Sequence, residues 1–149
     1  MAMLNLRKDL REFIELLNSH DVKYVVVGGY AVAYHGHPRN TGDIDIFVEI
    51  SHENASRIES VIGAFGFRSL GLSAKDFTEP KTIIQLGYPP NRIDIITTIS
   101  GIDFDRAWEG RVIGEDHGLT IPFVGKAALL ENKAATGRPQ YLKDIEALT

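Results

Sequence analysis

Two aspartates at alternate positions are the residues of this chain best placed to do chemistry. Asp43 and Asp45 alternate with Ile44 and Ile46 in the run 43–48. This alternation predicts a β-strand with both carboxylates on one face and the isoleucines on the other. Two carboxylates this close repel each other. The pKa of one of them rises unless a cation offsets the repulsion. Because hard divalent ions prefer oxygen ligands, the pair predicts a divalent-metal site.

A pair of glycines precedes the aspartates and could bring a phosphate to the main chain. The run 24–27 is apolar and β-branched, which predicts a buried strand that ends at Gly28 and Gly29. Glycine has no Cβ, so a ligand can approach its backbone closely. Residues 30–35 can begin a helix, whose N-terminal amides suit an anion. The polar residues 37–42 then predict a loop before the aspartate strand.

Each motif taken alone has an ordinary explanation. A glycine pair is most often a turn, and an Asp-x-Asp pair is most often a solvated strand face. The order strand, Gly-Gly, helix, loop and Asp-x-Asp strand is far more specific than either part. A third acid, Asp94, lies between Ile93 and Ile95 in another strand-like run. The alternative for this acid is that it merely pairs with Arg92 or with Arg39.

The combined pattern resembles the nucleotidyltransferase superfamily, whose best-known member is DNA polymerase β. Its signature is Gly-Gly or Gly-Ser after a strand, then Asp-x-Asp or Asp-x-Glu, then a third acid on a later strand. The stretch GGYAVAYHGHPRNTGDIDIFV is most similar to small bacterial members, including the AbiEii/MenA-type toxin nucleotidyltransferases. Many members have serine directly before the first aspartate, whereas this chain has Gly42 there, preceded by Thr41. The resemblance implies an α/β (α+β) nucleotidyltransferase fold, with a central mixed β-sheet flanked by helices and with C-terminal helices.

The same resemblance implies transfer of a nucleoside monophosphate from a nucleoside triphosphate, such as ATP, to an acceptor hydroxyl. Pyrophosphate would be released. It implies that Asp43, Asp45 and Asp94 are the catalytic acids and hold two Mg²⁺ ions, with Mn²⁺ as the alternative metal. The residues assigned to nucleotide binding are Gly28, Gly29, Tyr30, Arg39, Thr41 and Lys133. The alternatives are an exposed or structural arginine at Arg39 and a solvated basic helix face at Lys133.

Three hypotheses stay open for the acceptor and the biological role. Resemblance to the toxin group implies a tRNA or protein acceptor in a toxin-antitoxin-like system, with a homodimer or a cognate partner protein. Small antibiotic-modifying adenylyltransferases share the motifs and imply a small-molecule acceptor. The third hypothesis is a non-catalytic binding partner that keeps the fold. A basic groove would favour the first hypothesis, and an acidic open pocket would favour the second.

Length and composition indicate the kind of protein that carries these motifs. The chain has 149 residues, of which 44% are hydrophobic, which predicts one domain, with a core at about 22–100 and a C-terminal helical part at about 125–149. The net charge of -4 argues against a protein that coats nucleic acid. The absence of cysteine excludes disulfides and thiolate ligands. The chain shows neither a signal-like start nor an apolar run of membrane length, so a cytoplasmic protein without a membrane is expected.

The remaining pattern predicts elements that support the motif strands. Helices are expected at 4–19, 54–65, 102–110, 125–136 and 141–148, with Ser51 as an N-cap and Gly66 as a stop. Strands are expected at 67–72, 82–86, 92–97 and 119–124, with an irregular connection at 73–80. The last strand is expected at a sheet edge, because Pro122 lacks a ladder donor.

Overall fold

A computed structural model of the protein describes residues 7–36, 42–88, 92–137, 145, 146 and 148. In this part of the chain the helices are α1 (Lys8–Ser19), α2 (Gly28–Tyr34), α3 (His52–Phe65), α4 (Phe104–Glu109) and α5 (Lys126–Thr136). The strands are β1 (Tyr24–Val27), β2 (Ile44–Val48), β3 (Ile83–Leu86), β4 (Ile93–Ile96), β5 (Val112–Asp116) and β6 (Leu119–Phe123). None of the helices formed by these residues is long and apolar enough to cross a bilayer.

The strands form one mixed sheet in the order β3-β4-β2-β1-β6-β5. β1 is antiparallel to β2, β2 is parallel to β4, and β3 closes one end antiparallel to β4. At the other end β6 is parallel to β1 and forms an antiparallel hairpin with β5. The prediction of a mixed sheet flanked by helices is therefore confirmed.

Helix α1 buries the apolar stripe that the sequence predicts. Its inward residues Leu10, Phe13, Ile14 and Leu17 are all fully buried. Phe13 meets Phe65 of α3 edge to face, with ring centroids 5.1 Å apart. On β2 the isoleucines that alternate with the acids, Ile44 and Ile46, are also buried in this core. Burial on this scale fixes the register of β2, since a slip of one residue would place its aspartates in the core.

Asn54 locks the start of α3 to the two strands that carry the motifs. Its side-chain oxygen accepts the backbone N–H of Lys23 at 2.7 Å. Its amide nitrogen donates to the carbonyls of Lys23 and Glu49 at 3.0 and 2.9 Å. The backbone N–H of Asn54 is capped by Ser51 Oγ at 3.0 Å, which confirms the predicted N-cap. Asn54 is 1% exposed, so this buried amide is satisfied by the ends of β1 and β2.

The predicted edge position of the last strand is wrong. β6 lies between β1 and β5, and the sequence reasoning missed β5 altogether. The hydrogen bonding explains why Pro122 is tolerated there. The N–H of Val124 donates to the carbonyl of Val26 in β1. Backbone nitrogens two residues apart on a strand point to the same side. The proline nitrogen therefore faces β1, where the pairing is limited to Val26 with Phe123.

Two shorter segments also differ from the predictions. The strand expected at 67–72 is wrong, because Arg68–Leu70 is a 3₁₀ turn that ends at Gly71 with φ +69°. The irregular connection at 73–80 contains a second 3₁₀ turn, Ala74–Phe77. The strands expected at 82–86 and 92–97 are confirmed as β3 and β4. Of the helix expected at 141–148, residues 145, 146 and 148 are helical and the others lie outside the described residues.

Candidate active site

Strand register brings the three predicted acids together. In the parallel pair of β2 and β4, Asp45 lies directly beside Asp94. On the other side of β2, Asp45 lies beside Val27, the last residue of β1. Asp43 precedes Asp45 by two residues and shares its face of the sheet. The acids thus lie on one face, at the end of β1 where the glycine pair begins α2.

Gly28 is packed against the carboxyl group of Asp45. A Cβ at this position would overlap Oδ2 of Asp45 and would lie 3.0 Å from its Cγ. The backbone of Gly28 also has φ +68°, which side-chain-bearing residues rarely adopt. Two independent constraints therefore require glycine here, and one of them is the approach of the main chain to a predicted catalytic acid.

Arg92 is bound to two of the three acids. Its Nε donates to Asp94 Oδ1 at 2.7 Å and its Nη2 donates to Asp94 Oδ2 at 3.1 Å. The same Nη2 lies 3.1 Å from Asp43 Oδ2, and the backbone N–H of Arg92 donates to Asp43 Oδ1 at 3.2 Å. The alternative in which Asp94 pairs with Arg92 is therefore realised. Sequence reasoning considered Arg92 only in that role, although its spacing from Asp94 already places both on one strand face.

Asp45 has an unusual protonation equilibrium. Burial, which is the largest cause, and the charges of Asp94 and Asp43 together raise the pKa of its carboxyl to about 7, although Arg92 acts to lower it. A hydrogen bond with the Asp94 carboxyl contributes in the same direction. In the metal-free protein Asp45 therefore takes up a proton near neutral pH. This proton removes a negative charge that a bound cation would otherwise balance.

The donor chemistry of this site suits a hard divalent cation. Three carboxylates share one face: Asp45 on β2, Asp94 on β4 and Asp43 directly before β2. Burial and the charges of the other two raise the pKa of Asp45, and a hard cation would offset this accumulation of negative charge. As they stand, no three Asp, Glu or His side chains within the described ranges converge to hold a metal ion. Asp43 and Asp94 are turned to the guanidinium of Arg92 instead. The residue types therefore fit a divalent metal ion. To bind one, the carboxylates of Asp43 and Asp94 must turn away from Arg92.

The other predicted nucleotide-binding residues are placed less directly. Gly29 and Tyr30 follow Gly28 in α2, and the Tyr30 residue is buried at 7% exposure. Lys133 lies in α5 at 4% exposure, so its interpretation as a solvated helix face is wrong. Arg39 and Thr41 lie outside the described residues.

A pocket of about 720 Å³ opens on the same face of the sheet beyond the acids. Its floor includes Phe47, which follows Asp45 by two residues and therefore lies roughly 7 Å further along β2. Its rim carries the carboxylates of Glu49, Asp103 and Asp105, and the lining residues that the structure describes include no lysine or arginine. Asp103 caps α4 by accepting the N–H of Arg106 at 2.9 Å. Sequence reasoning missed this rim, because its acids are far apart in the chain.

A second groove of about 670 Å³ has the opposite charge. Its cations are Lys23, Arg57 and Arg111, and Trp108 forms part of its wall. The Arg111 guanidinium lies 3.7 Å from the centre of the Trp108 ring. This groove adjoins β5 and β6 through Ile113 and Pro122, whereas the acidic pocket adjoins β2 and β4, the strands that carry the aspartates.

Comparisons with known proteins identify the fold. No protein-family model matches the chain, and no curated protein matches it. Among solved structures, a candidate nucleotidyltransferase from Thermotoga maritima has a TM-score of 0.61 at 19% identity, covering 92% of this chain and 88% of its own. An antigenic nucleotidyltransferase-like protein from Paracoccidioides brasiliensis has a TM-score of 0.55 at 17% identity, covering 96% and 75% respectively.

A third solved structure is ANT(2")-Ia in complex with adenylyl-2"-tobramycin. It has a TM-score of 0.58 at 11% identity, covering 93% of this chain and 84% of its own. At these identities the likeness concerns architecture alone, and all three structures share it over most of their length. The six-stranded mixed sheet with its flanking helices is therefore the nucleotidyltransferase fold.

Proposed function

We propose that this protein is a metal-dependent nucleotidyltransferase that moves a nucleoside monophosphate from a nucleoside triphosphate to an acceptor hydroxyl. The observation that carries the proposal is the register that sets Asp45 beside Asp94, with Asp43 on the same face and Gly28 packed against Asp45. A solvated strand face would not need a glycine at φ +68° pressed against one carboxylate. The fold shared with solved nucleotidyltransferases supports the same proposal.

In the proposed reaction the acceptor oxygen forms a bond to the α-phosphorus, and the bond from that phosphorus to the bridging oxygen breaks, releasing pyrophosphate. Asp43, Asp45 and Asp94 are the residues that would hold two divalent ions. Bound there, the ions would lower the pKa of the attacking hydroxyl and neutralise charge on the β- and γ-phosphates. Asp94 is the carboxylate proposed to accept the hydroxyl proton. The backbones of Gly28 and Gly29 are the proposed contacts of the triphosphate.

Binding of the donor is the first measurable consequence. We expect magnesium together with one of the four ribonucleoside triphosphates to raise the melting temperature by several degrees. A ligand at 100 times its Kd stabilises the native state by about 2.7 kcal/mol. Thermal denaturation with each triphosphate, with and without magnesium, measures this effect. Stabilisation by none of the four, or equal stabilisation without magnesium, would contradict the proposal.

The acidic pocket favours a small cationic acceptor as a second, more specific candidate function. It adjoins the strands that carry the catalytic acids, and its carboxylate rim complements positive charge. ANT(2")-Ia, which shares the fold, is solved with an adenylylated aminoglycoside. The basic groove would suit a tRNA acceptor, as in the toxin-like hypothesis, but it adjoins β5 and β6 and not the aspartate strands. A second copy of the chain or a partner protein is a proposed contributor to acceptor binding under either hypothesis.

Asp105 tests the acceptor assignment, since it lies exposed on the pocket rim and does not cap α4 as Asp103 does. We expect Asp105→Asn to weaken binding of an aminoglycoside probe by about 2- to 5-fold, as for one exposed ion pair, with the magnesium-triphosphate shift unchanged. Isothermal calorimetry measures the affinity. The matched control is Glu115→Gln, which removes the same charge at the exposed edge strand β5. If both variants weaken binding equally, the small cationic acceptor is excluded. It is also excluded if the enzyme transfers labelled nucleotide to tRNA but not to the aminoglycoside.

A further inference from the structure

The guanidinium of Arg92 occupies the position between Asp43 and Asp94 in the metal-free protein. It donates to both carboxylate oxygens of Asp94, at 2.7 and 3.1 Å. It also lies 3.1 Å from Oδ2 of Asp43, while the Arg92 backbone N–H takes Oδ1 of the same residue at 3.2 Å. Both oxygens of both carboxylates are therefore engaged by a single residue.

The contacts of Arg92 occupy the carboxylate oxygens of Asp43 and Asp94, which a divalent ion would need as ligands. A hard cation binds carboxylate oxygens at little more than 2 Å, so it would take the oxygens that now accept from Arg92. A guanidinium left at hydrogen-bond distance from the same oxygens would then face a doubly charged ion at short range, in a site that excludes part of the solvent. The two cations cannot hold Asp43 and Asp94 in the same geometry.

The strand geometry fixes the backbone of Arg92 beside Asp94 and leaves its guanidinium able to move. Arg92 lies directly before β4 and two residues from Asp94, so their Cα atoms stay roughly 7 Å apart whatever the side chains do. The Arg92 side chain is 23% exposed, which gives the guanidinium an open side toward solvent. The Asp43 side chain is 37% exposed, so this partner of Arg92 also lies at the solvent side of the site.

We propose that Arg92 is an internal counter-ion that competes with the divalent metal for Asp43 and Asp94, and that metal binding requires its guanidinium to release Asp43. This inference rests on the proposed metal site. Arg92 is then a positioning residue, which holds the carboxylates in place before metal arrives and sets the metal concentration at which the site fills. The chain supplies its own cation wherever the metal is absent.

The proposal is tested by metal binding without nucleotide and without turnover. Arg92→Gln and Arg92→Lys are titrated with Mn²⁺, which is read by paramagnetic resonance, and their melting temperatures are measured in EDTA. We expect Arg92→Gln to bind Mn²⁺ about 5- to 10-fold more tightly than the wild type and to melt at a lower temperature in EDTA. Arg92→Lys should fall between them, because an ammonium group cannot form the two-pronged contact with Asp94. If Arg92→Gln fails to fold, the Arg92→Lys affinity alone decides the question.

A matched control removes another arginine from an ion pair. Arg106 pairs with Glu131 of α5 on the surface, and Arg106→Gln should leave the Mn²⁺ affinity unchanged. Weaker or unchanged Mn²⁺ binding by the folded Arg92 variants would overturn the competition and leave Arg92 as a structural support. If Asp45→Asn binds Mn²⁺ as tightly as the wild type, the metal site itself is wrong and the proposed function fails with it. Binding of Mn²⁺ by neither wild type nor variants would overturn both.

Discussion

Asp45→Asn is expected to abolish nucleotidyl transfer and, at the same time, to make the metal-free protein more stable at pH 8. Transfer should fall by at least about 100-fold, as when charge-stabilising groups are removed from an active site. The pKa of Asp45 is raised to about 7 in the folded protein, which means that ionising this carboxyl costs free energy there. Stability should therefore rise when the carboxyl is replaced. Asparagine keeps the shape of the side chain and removes that cost.

The pH dependence of this gain follows from the direction of the pKa shift. The carboxyl has a pKa of about 3.9 in the unfolded chain and about 7 in the folded protein. Between these values the folded state holds a proton that the unfolded chain has lost, so metal-free stability falls as the pH rises through this window. The cost is complete above pH 7 and amounts to about 1–3 kcal/mol once solvent and neighbouring charges are allowed for.

Thermal denaturation in EDTA at pH 5 and pH 8 checks this result. The melting temperature of Asp45→Asn should exceed that of the wild type by several degrees at pH 8 and by less at pH 5. The matched control is Asp43→Asn, which removes a carboxylate that is paired with Arg92 at 3.1 Å and should give no such gain. An Asp45→Asn variant that retains transfer, or that is less stable than the wild type at pH 8, would contradict the assignment of Asp45.

Gly28→Ala should abolish the stabilisation by magnesium and triphosphate and reduce transfer by at least about 100-fold. The added Cβ would overlap Oδ2 of Asp45, so either the carboxylate or the start of α2 must move. A displacement near 1 Å is enough to cost about two orders of magnitude in rate. The φ of +68° adds a backbone cost of about 1–2 kcal/mol for any residue with a side chain.

Gly71→Ala separates the two causes. Gly71 has φ +69°, and a Cβ there would meet no atom within 4 Å, so this variant carries the backbone cost without the collision. Melting curves and the magnesium-triphosphate shift of both variants provide the comparison. We expect Gly71→Ala to lose stability but keep the full ligand shift. If Gly28→Ala also keeps the shift, the contact between the main chain and Asp45 has no part in nucleotide binding.

The sequence predicted the motif strands well because their signal is local. Alternation in β2 and the apolar run of β1 are each read within a few residues, and the glycines mark where β1 must end. β5 has no such signal, since Gly114 and Asp116 interrupt its apolar alternation. Asp116 is 4% exposed and is satisfied by Arg11 at 2.7 Å. That partner lies 105 positions away, a distance over which local patterns carry no information.

The acids themselves were predictable, but their electrostatic balance was not. The spacing of Arg92 and Asp94 indicates a shared strand face, and so does the spacing of Asp43 and Asp45. Only the parallel register of β2 with β4 shows that the arginine of one strand reaches the first aspartate of the other. The raised pKa of Asp45 also arises from contacts across strands and from burial, which a single sequence does not specify.

The narrow junction between β1 and β6 has a mechanical consequence for the three predicted catalytic acids. The register pairs four residues at each of the junctions from β3 to β1 and five within the β5–β6 hairpin, but it pairs only Val26 with Phe123 where the hairpin joins. Any force that twists or shears the sheet will concentrate where the fewest hydrogen bonds resist it. The hairpin is held to the rest of the molecule instead by the burial of Ile121 and Phe123 and by hydrogen bonds from Arg11 and Asn18 of α1. A distortion of the hairpin therefore has few backbone hydrogen bonds through which to reach β1 and, beyond it, the strands next to the three aspartates.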